Sequence, residues 1–86
     1  MFKVYVLYSP SFDKIYVGYT SDLEQRLLAH NGLSEKGWTK RYRPWKLVYS
    51  ETFENRTEAM IREKALKSSR GRAFIRKLIN TSGETG

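Results

Sequence analysis

The run FKVYVLY near the start of the chain is β-branched, aromatic or aliphatic at nearly every position, so both faces of an extended segment there are apolar. That pattern predicts a strand covered on both sides, and hence a central one. SPSFD supplies turn residues and KIYVGY reads as a second strand, which makes a hairpin with a loop of about five residues. Ser21 and Glu24 have the spacing of a capping box and open a helix over roughly Asp22 to Asn31, with Gly32 as its stop. After a basic loop, Pro44 precedes WKLVYSETF, in which Trp45, Leu47 and Tyr49 alternate as a third strand requires. Asn55 and Glu58 repeat the capping spacing and start a helix that ends near Ser68. RAFIRKLI forms a last short helix burying Phe74, Ile75, Leu78 and Ile79, and TSGETG follows as a frayed tail. The order β-β-α-β-α-α predicts an α+β fold: a three-stranded, largely antiparallel sheet with helices packed against it, over residues 1–80, with 81–86 as a flexible tail.

Two helices break their own apolar stripes. Leu23 and Leu27 mark the inward face of the first, yet Arg26 and His30 fall on that face. In the second, Glu63 shares a stripe with Ala59 and Leu66. A lone carboxylate in such a place is costly unless something positive meets it. Arg26 is one candidate, which makes the two residues a structural ion pair. A divalent cation is the other, since Mg²⁺ keeps several waters and often takes only one or two protein carboxylates. The residues alone leave both readings standing.

Composition narrows the chemistry. Eighty-six residues make one small domain with no room for a second. The chain has no cysteine and one histidine, which excludes disulfides, thiolate metal sites and zinc sites built from several imidazoles. VYVLY is too short to span a bilayer and MFKVYVL lacks the layout of a signal peptide, so a soluble cytoplasmic protein without a membrane partner is expected. Sixteen basic residues against nine acidic give a net charge of +7, and the excess is clustered. KGWTKRYRPWK carries five positive charges and no acid, interleaved with Trp38, Tyr42 and Trp45; Arg62 to Lys77 holds seven basic residues and only Glu63 as an acid. Such clusters suit a polyanion, because each cation that meets a phosphate releases a counterion. Lys40, Arg41 and Arg43 are the first candidates for phosphate contacts, and Arg70, Arg72, Arg76 and Lys77 extend them along the last helix. A solvated basic helix face is the plainer alternative. Trp38, Tyr42 and Trp45 suit base stacking, although Trp45 beside Pro44 equally suits a core, and Tyr8, Tyr19, Tyr42 and Tyr49 read as packing or binding residues.

The pattern resembles the GIY-YIG nuclease superfamily over about residues 2–80, and is similar to its small stand-alone members and to the N-terminal nuclease domain of the bacterial excision-repair incision subunit. Lys3-Val4-Tyr5 stands for the first signature strand and Tyr16-Val17-Gly18 for the second, eleven residues apart from tyrosine to tyrosine. The family's arginine falls on Arg26, ten residues after the second tyrosine, its helical His or Tyr on His30, and its metal-binding glutamate on Glu63. Two departures are plain. Lys3 stands where the signature has its first glycine, and Tyr19 occupies a position that is basic in some relatives.

The resemblance implies a divalent-metal-dependent endonuclease that hydrolyses DNA one strand per active site, with RNA not excluded as a partner and DNA repair one setting. Tyr5 and Tyr16 would flank the scissile phosphate, Tyr16 preferred as general base, with His30 as proton relay. Arg26 suits the phosphate because its planar fork meets two oxygens at once and it keeps its proton. Glu63 would hold one Mg²⁺ or Mn²⁺ ion per site. The alternatives are a nucleic-acid-binding module that keeps the fold without efficient cleavage, and a basic protein in which Arg26 and Glu63 simply pair. Substrate choice would come from DNA shape, self-association or a targeting protein.

Overall fold

Strand β1 (Phe2–Ser9) lies between β2 (Lys14–Thr20) and β3 (Lys46–Phe53), paired antiparallel with both, in a computed structural model that describes residues 1–29 and 41–85. Helix α1 (Leu23–Leu28) follows β2, and α2 (Arg56–Lys67) and α3 (Ser69–Thr85) follow β3, so the order and the α+β architecture are those expected. Alternation explains why β1 is central. Val4 and Val6 point to one face, into a core with Val17, Ala59, Leu66 and Ile75, while Tyr5 and Leu7 point to the other, against Trp45, Leu23 and Leu27. A strand needing apolar partners on both sides must sit inside the sheet.

The third strand departs from simple alternation. Val6 pairs with Tyr49 but Leu7 with Leu47, so Val48 is an extra residue in β3 and the ladder bulges. Because side chains alternate with a period of two, one inserted residue exchanges the faces. Trp45 therefore enters the Tyr5–Leu7 cluster, Tyr49 and Val48 both lie against the opposite core, and Leu47 is 41% exposed. Trp45, 5% exposed, is core rather than a stacking platform.

Asn55 caps α2 as its spacing predicts, accepting from the Glu58 amide at 2.9 Å. The α1 cap differs: Asp22, not Ser21, accepts from the Gln25 amide, at 3.2 Å. Thr20 secures that turn, its hydroxyl accepting from the Asp22 amide at 3.0 Å and donating to the Asp22 carbonyl at 3.3 Å. The hairpin loop has four residues, Pro10 to Asp13, with Asp13 in the left-handed region (φ 53°). The Asp13 carboxylate accepts from the Tyr8 hydroxyl at 2.9 Å and pairs with Arg76, which ties α3 to the hairpin. Glu51 likewise ties β3 to α2, accepting from Tyr49 at 2.8 Å and from Arg62 at 2.7 Å. Among the described residues no helix is long and apolar enough to cross a membrane.

Helix α3 begins earlier than the apolar run RAFIRKLI suggests. Ser68 ends α2 by donating to the Ala65 carbonyl at 2.5 Å, and its own carbonyl accepts from the Arg72 amide at 2.9 Å to start α3. Ile75 is fully buried, but Phe74 is 38% exposed and meets Tyr49 edge-on, at 5.4 Å between ring centres. The tight turn requires Gly71, since a β-carbon there would lie 2.3 Å from the Ala65 carbonyl oxygen and 2.4 Å from Leu66 Cα. Those are backbone atoms that cannot swing aside. Gly71→Ala should therefore lower stability by about 1–3 kcal/mol, the cost of overpacking, read as a lower urea midpoint with an unchanged slope.

Candidate active site

Tyr5 pairs across the ladder with Gly18, and Leu7 with Tyr16. Glycine at 18 leaves space over β2 that the Tyr5 ring occupies: a β-carbon there would stand 2.7 Å from Tyr5 Oη and 3.0 Å from Tyr16 Cε1. The two tyrosine rings consequently lie stacked, 6.1 Å apart at 28°. Trp45 backs Tyr16 edge-on at 6.3 Å, Tyr42 meets Trp45 at 6.5 Å, and Phe12 meets Tyr42 at 5.5 Å. This aromatic row supports the tyrosine pair from behind, with Lys14 over the Tyr42 ring at 5.5 Å.

In front of the pair is an open cleft of about 450 Å³ lined by Tyr5, Tyr16, Gly18, Arg26, Arg56 and Glu63, among others. Its walls include side chains from both faces of the sheet, which is geometrically feasible because β2 is an edge strand. Arg26 reaches it from α1, where Leu23 and Leu27 anchor the helix on the tyrosine cluster and leave Arg26 exposed at the rim. The charge on an apolar stripe is thus explained by a wet cleft rather than a dry core.

Glu63 enters from α2, with its side chain 17% exposed. Its ion pair is with Lys67 at 3.5 Å, and among the described residues it has none with Arg26. A half-buried carboxylate beside phenolic oxygens is an all-oxygen donor set, which suits a hard, water-retaining cation such as Mg²⁺ or Mn²⁺. Among the described residues no group of three or more acids or imidazoles forms a cage, so such an ion would rely on waters and on its ligand for most of its shell.

Burial pushes the Tyr5 phenol far above its ordinary range; the proximity of Tyr16 and a hydrogen bond with it add to the shift, while Arg26 opposes it. Tyr5 is 1% exposed and keeps its proton, so it is suited to donate and not to accept from water.

The remaining expected binding residues divide. Arg72 is exposed beside Lys67 and Tyr16 at a smaller hollow of about 210 Å³, next to the main cleft. Arg70 lines a separate hollow with Arg62 and Phe74, and Arg76 is engaged by Asp13. Arg41 and Lys77 are exposed and Arg43 is half-buried. His30, Trp38 and Lys40 lie outside the described residues. Arg56 was not singled out by any pattern in the sequence, because one arginine at a helix start leaves no periodic trace. Its Nε donates to the Tyr19 hydroxyl at 3.3 Å.

Comparison with known proteins adds to this geometry. Residues 1–78 match the model of the GIY-YIG catalytic domain. The chain is 41% identical over 54 residues to the UPF0213 protein SSP2268 of Staphylococcus saprophyticus, covering 63% of this chain and 66% of that protein. It is 44% identical over 55 residues to the UPF0213 protein CPE1444 of Clostridium perfringens, covering 64% and 59%. The matches thus span under two thirds of the length of these relatives. The solution structure of the UPF0213 protein BH0048 from Bacillus halodurans has the same fold, with a TM-score of 0.53 and 28% identity over 91% of this chain and 85% of that one.

Two expectations follow from the tyrosine pair. Gly18→Ala forces Tyr5 or the β2 backbone aside and should cost about 1–3 kcal/mol in chemical denaturation. For Tyr5, the folded state holds the proton more tightly than the unfolded one. Its stabilising contribution is therefore complete below the unfolded tyrosine value of about 10 and falls as pH rises beyond it. In an ultraviolet phenolate titration, Tyr5→Phe should reduce the amplitude that appears only with alkaline unfolding; an unchanged late phase would contradict the assignment.

Proposed function

Because this chain belongs to the GIY-YIG catalytic domain family, we propose that it is a divalent-metal-dependent endonuclease that hydrolyses DNA phosphodiester bonds, one strand per site. The observation that carries this reading is the convergence of Arg26, Glu63 and the Tyr5–Tyr16 pair on one open cleft. Arg26 binds two non-bridging oxygens of the scissile phosphate and stabilises the charge that builds in the transition state. Tyr16 takes the proton of the attacking water as its own phenolic proton passes on to the relay. Tyr5, locked in its neutral form, orients Tyr16 through their shared hydrogen bond. Glu63 would hold one Mg²⁺ or Mn²⁺ ion, which when bound supplies Lewis-acid stabilisation to the departing 3′ oxygen, so that the product carries a 5′ phosphate. His30 is assigned the proton relay by its position in the family pattern.

One observation favours a second reading, a module that binds nucleic acid without efficient cleavage. Lys67 at 3.5 Å already pairs with the carboxylate a metal ion would need.

Nicking of supercoiled plasmid and of branched DNA in Mg²⁺ or Mn²⁺ separates the two. Arg26→Ala, Glu63→Gln and Tyr16→Phe should each lower the rate by about 10²–10³, the range for losing one transition-state contact. Arg26→Lys should remain impaired because the fork is lost. Metal-independent nicking, or nicking that survives both Arg26→Ala and Glu63→Gln, rules the mechanism out. Salt-sensitive binding without nicking selects the module.

A further inference from the structure

Arg56, the first residue of α2, brings a second guanidinium to the cleft that Arg26 enters. Tyr19 fixes it: the Arg56 Nε donates to the Tyr19 hydroxyl at 3.3 Å, and the guanidinium carbon lies 5.9 Å from the Tyr19 ring centre. That contact uses one of five donors and sets the position of the group, leaving both terminal nitrogens outside the bond. Among the described residues no carboxylate forms an ion pair with Arg56. The position is also a poor one for a cation on structural grounds. The first turn of a helix carries the positive end of its macrodipole, where an acid is favoured. A cation that breaks a local rule at the wall of a cleft, with no carboxylate paired to it among the described residues, is better explained by a ligand than by the fold.

The cleft itself sets the ligand's size. About 450 Å³ lies in the range that holds a drug-sized molecule and is more than one phosphate group fills. Two guanidinium groups against one carboxylate leave its wall net positive even before Lys67 is counted.

We propose that Arg56, positioned by Tyr19, binds a second backbone phosphate on the same nucleic-acid strand, next to the phosphate that Arg26 holds. The inference rests on the nucleic-acid reading of the cleft but not on cleavage. It also gives Tyr19 a task. Its ring and hydroxyl recruit a cation from α2 to the cleft wall.

Binding of a fluorescent single-stranded DNA oligonucleotide, followed by anisotropy across a salt series in EDTA, tests this apart from catalysis. Arg56→Ala should weaken binding about tenfold at low salt and reduce the slope of log affinity against log salt by about 1, the signature of one lost phosphate contact. Arg56→Lys should keep the slope, and Tyr19→Phe should weaken binding less than Arg56→Ala. Losses from Arg26→Ala and Arg56→Ala should multiply in the double variant, as independent contacts do. Arg56 is exposed and the Asn55 cap is retained, so the variant is expected to melt with the wild type. Unchanged affinity and slope in Arg56→Ala overturn the proposal, and so do losses that fail to multiply, which mean both arginines grip one phosphate. Nicking with Arg56-independent binding keeps the endonuclease and removes this assignment; Arg56-dependent binding without nicking does the reverse. Absence of wild-type binding in EDTA removes this assignment, and nicking alone then decides the endonuclease.

Discussion

The close approach of Tyr5 to Gly18 is the constraint on which the site depends. β1 is buried on both faces, so the Tyr5 hydroxyl on it is costly unless a gap and a partner are provided. Gly18 provides the gap and Tyr16 the partner. Every other element of the cleft is referred to this pair. Leu23 and Leu27 dock α1 on the same cluster, which brings Arg26 to the rim, and the Val4–Val6 side of the same strand docks α2, which brings Glu63 from the other side. One strand thus carries the registration of both helices. A change at Tyr5 or Gly18 therefore disturbs the packing of β1 and the shape of the cleft together.

How much of this can be read from residues alone varies with the length of pattern each feature leaves. The central strand is legible because an apolar run on both faces has one stable place in a sheet, and Asn55 is legible because its cap precedes a long, periodic helix. Arg26 and Glu63 are legible as violations, since a charge within an apolar stripe demands a reason. The α1 cap is not: Ser21 and Asp22 are both good acceptors, and Thr20 decides between them through a turn that spacing does not encode. The β3 bulge is hidden for a similar reason. An alternation of Trp45, Leu47 and Tyr49 looks regular, and only the pairing with β1 reveals that Val48 shifts the phase. Arg56 acquires its meaning from Tyr19, 37 positions away, and no local signal reports such a contact.

The basic character of the chain also resolves into parts once positions are known. Arg76 and Arg62 hold Asp13 and Glu51, so part of the excess charge in the C-terminal cluster serves the docking of α2 and α3. These pairs are substantially exposed and contribute little individually, as surface ion pairs generally do. Their effect is orientation: they fix the helices to the hairpin and to β3 through residues that do not line the cleft. Arg72 and Lys67 lie instead beside Tyr16, next to the main cleft, and extend its positive wall along the open edge of β2. Charge counts at the level of sequence merge these two populations, and contacts separate them.

The Glu63–Lys67 pair bears most directly on how a single carboxylate could serve a metal-dependent reaction. At 3.5 Å, with the lysine about half exposed, the pair is a weak one, and releasing the lysine to solvent costs on the order of 1 kcal/mol or less. Lysine in this position balances the carboxylate's charge without building a cage around it. A cation meeting one such carboxylate would bind poorly by itself, because Mg²⁺ retains its waters unless further oxygens replace them. Phosphate oxygens held by Arg26 would be those further ligands. Metal and nucleic acid would then each raise the affinity of the site for the other, a reciprocity that linkage requires. A metal ion at Glu63 would therefore take its remaining ligands from water and substrate, since the described residues hold no cluster of three acids.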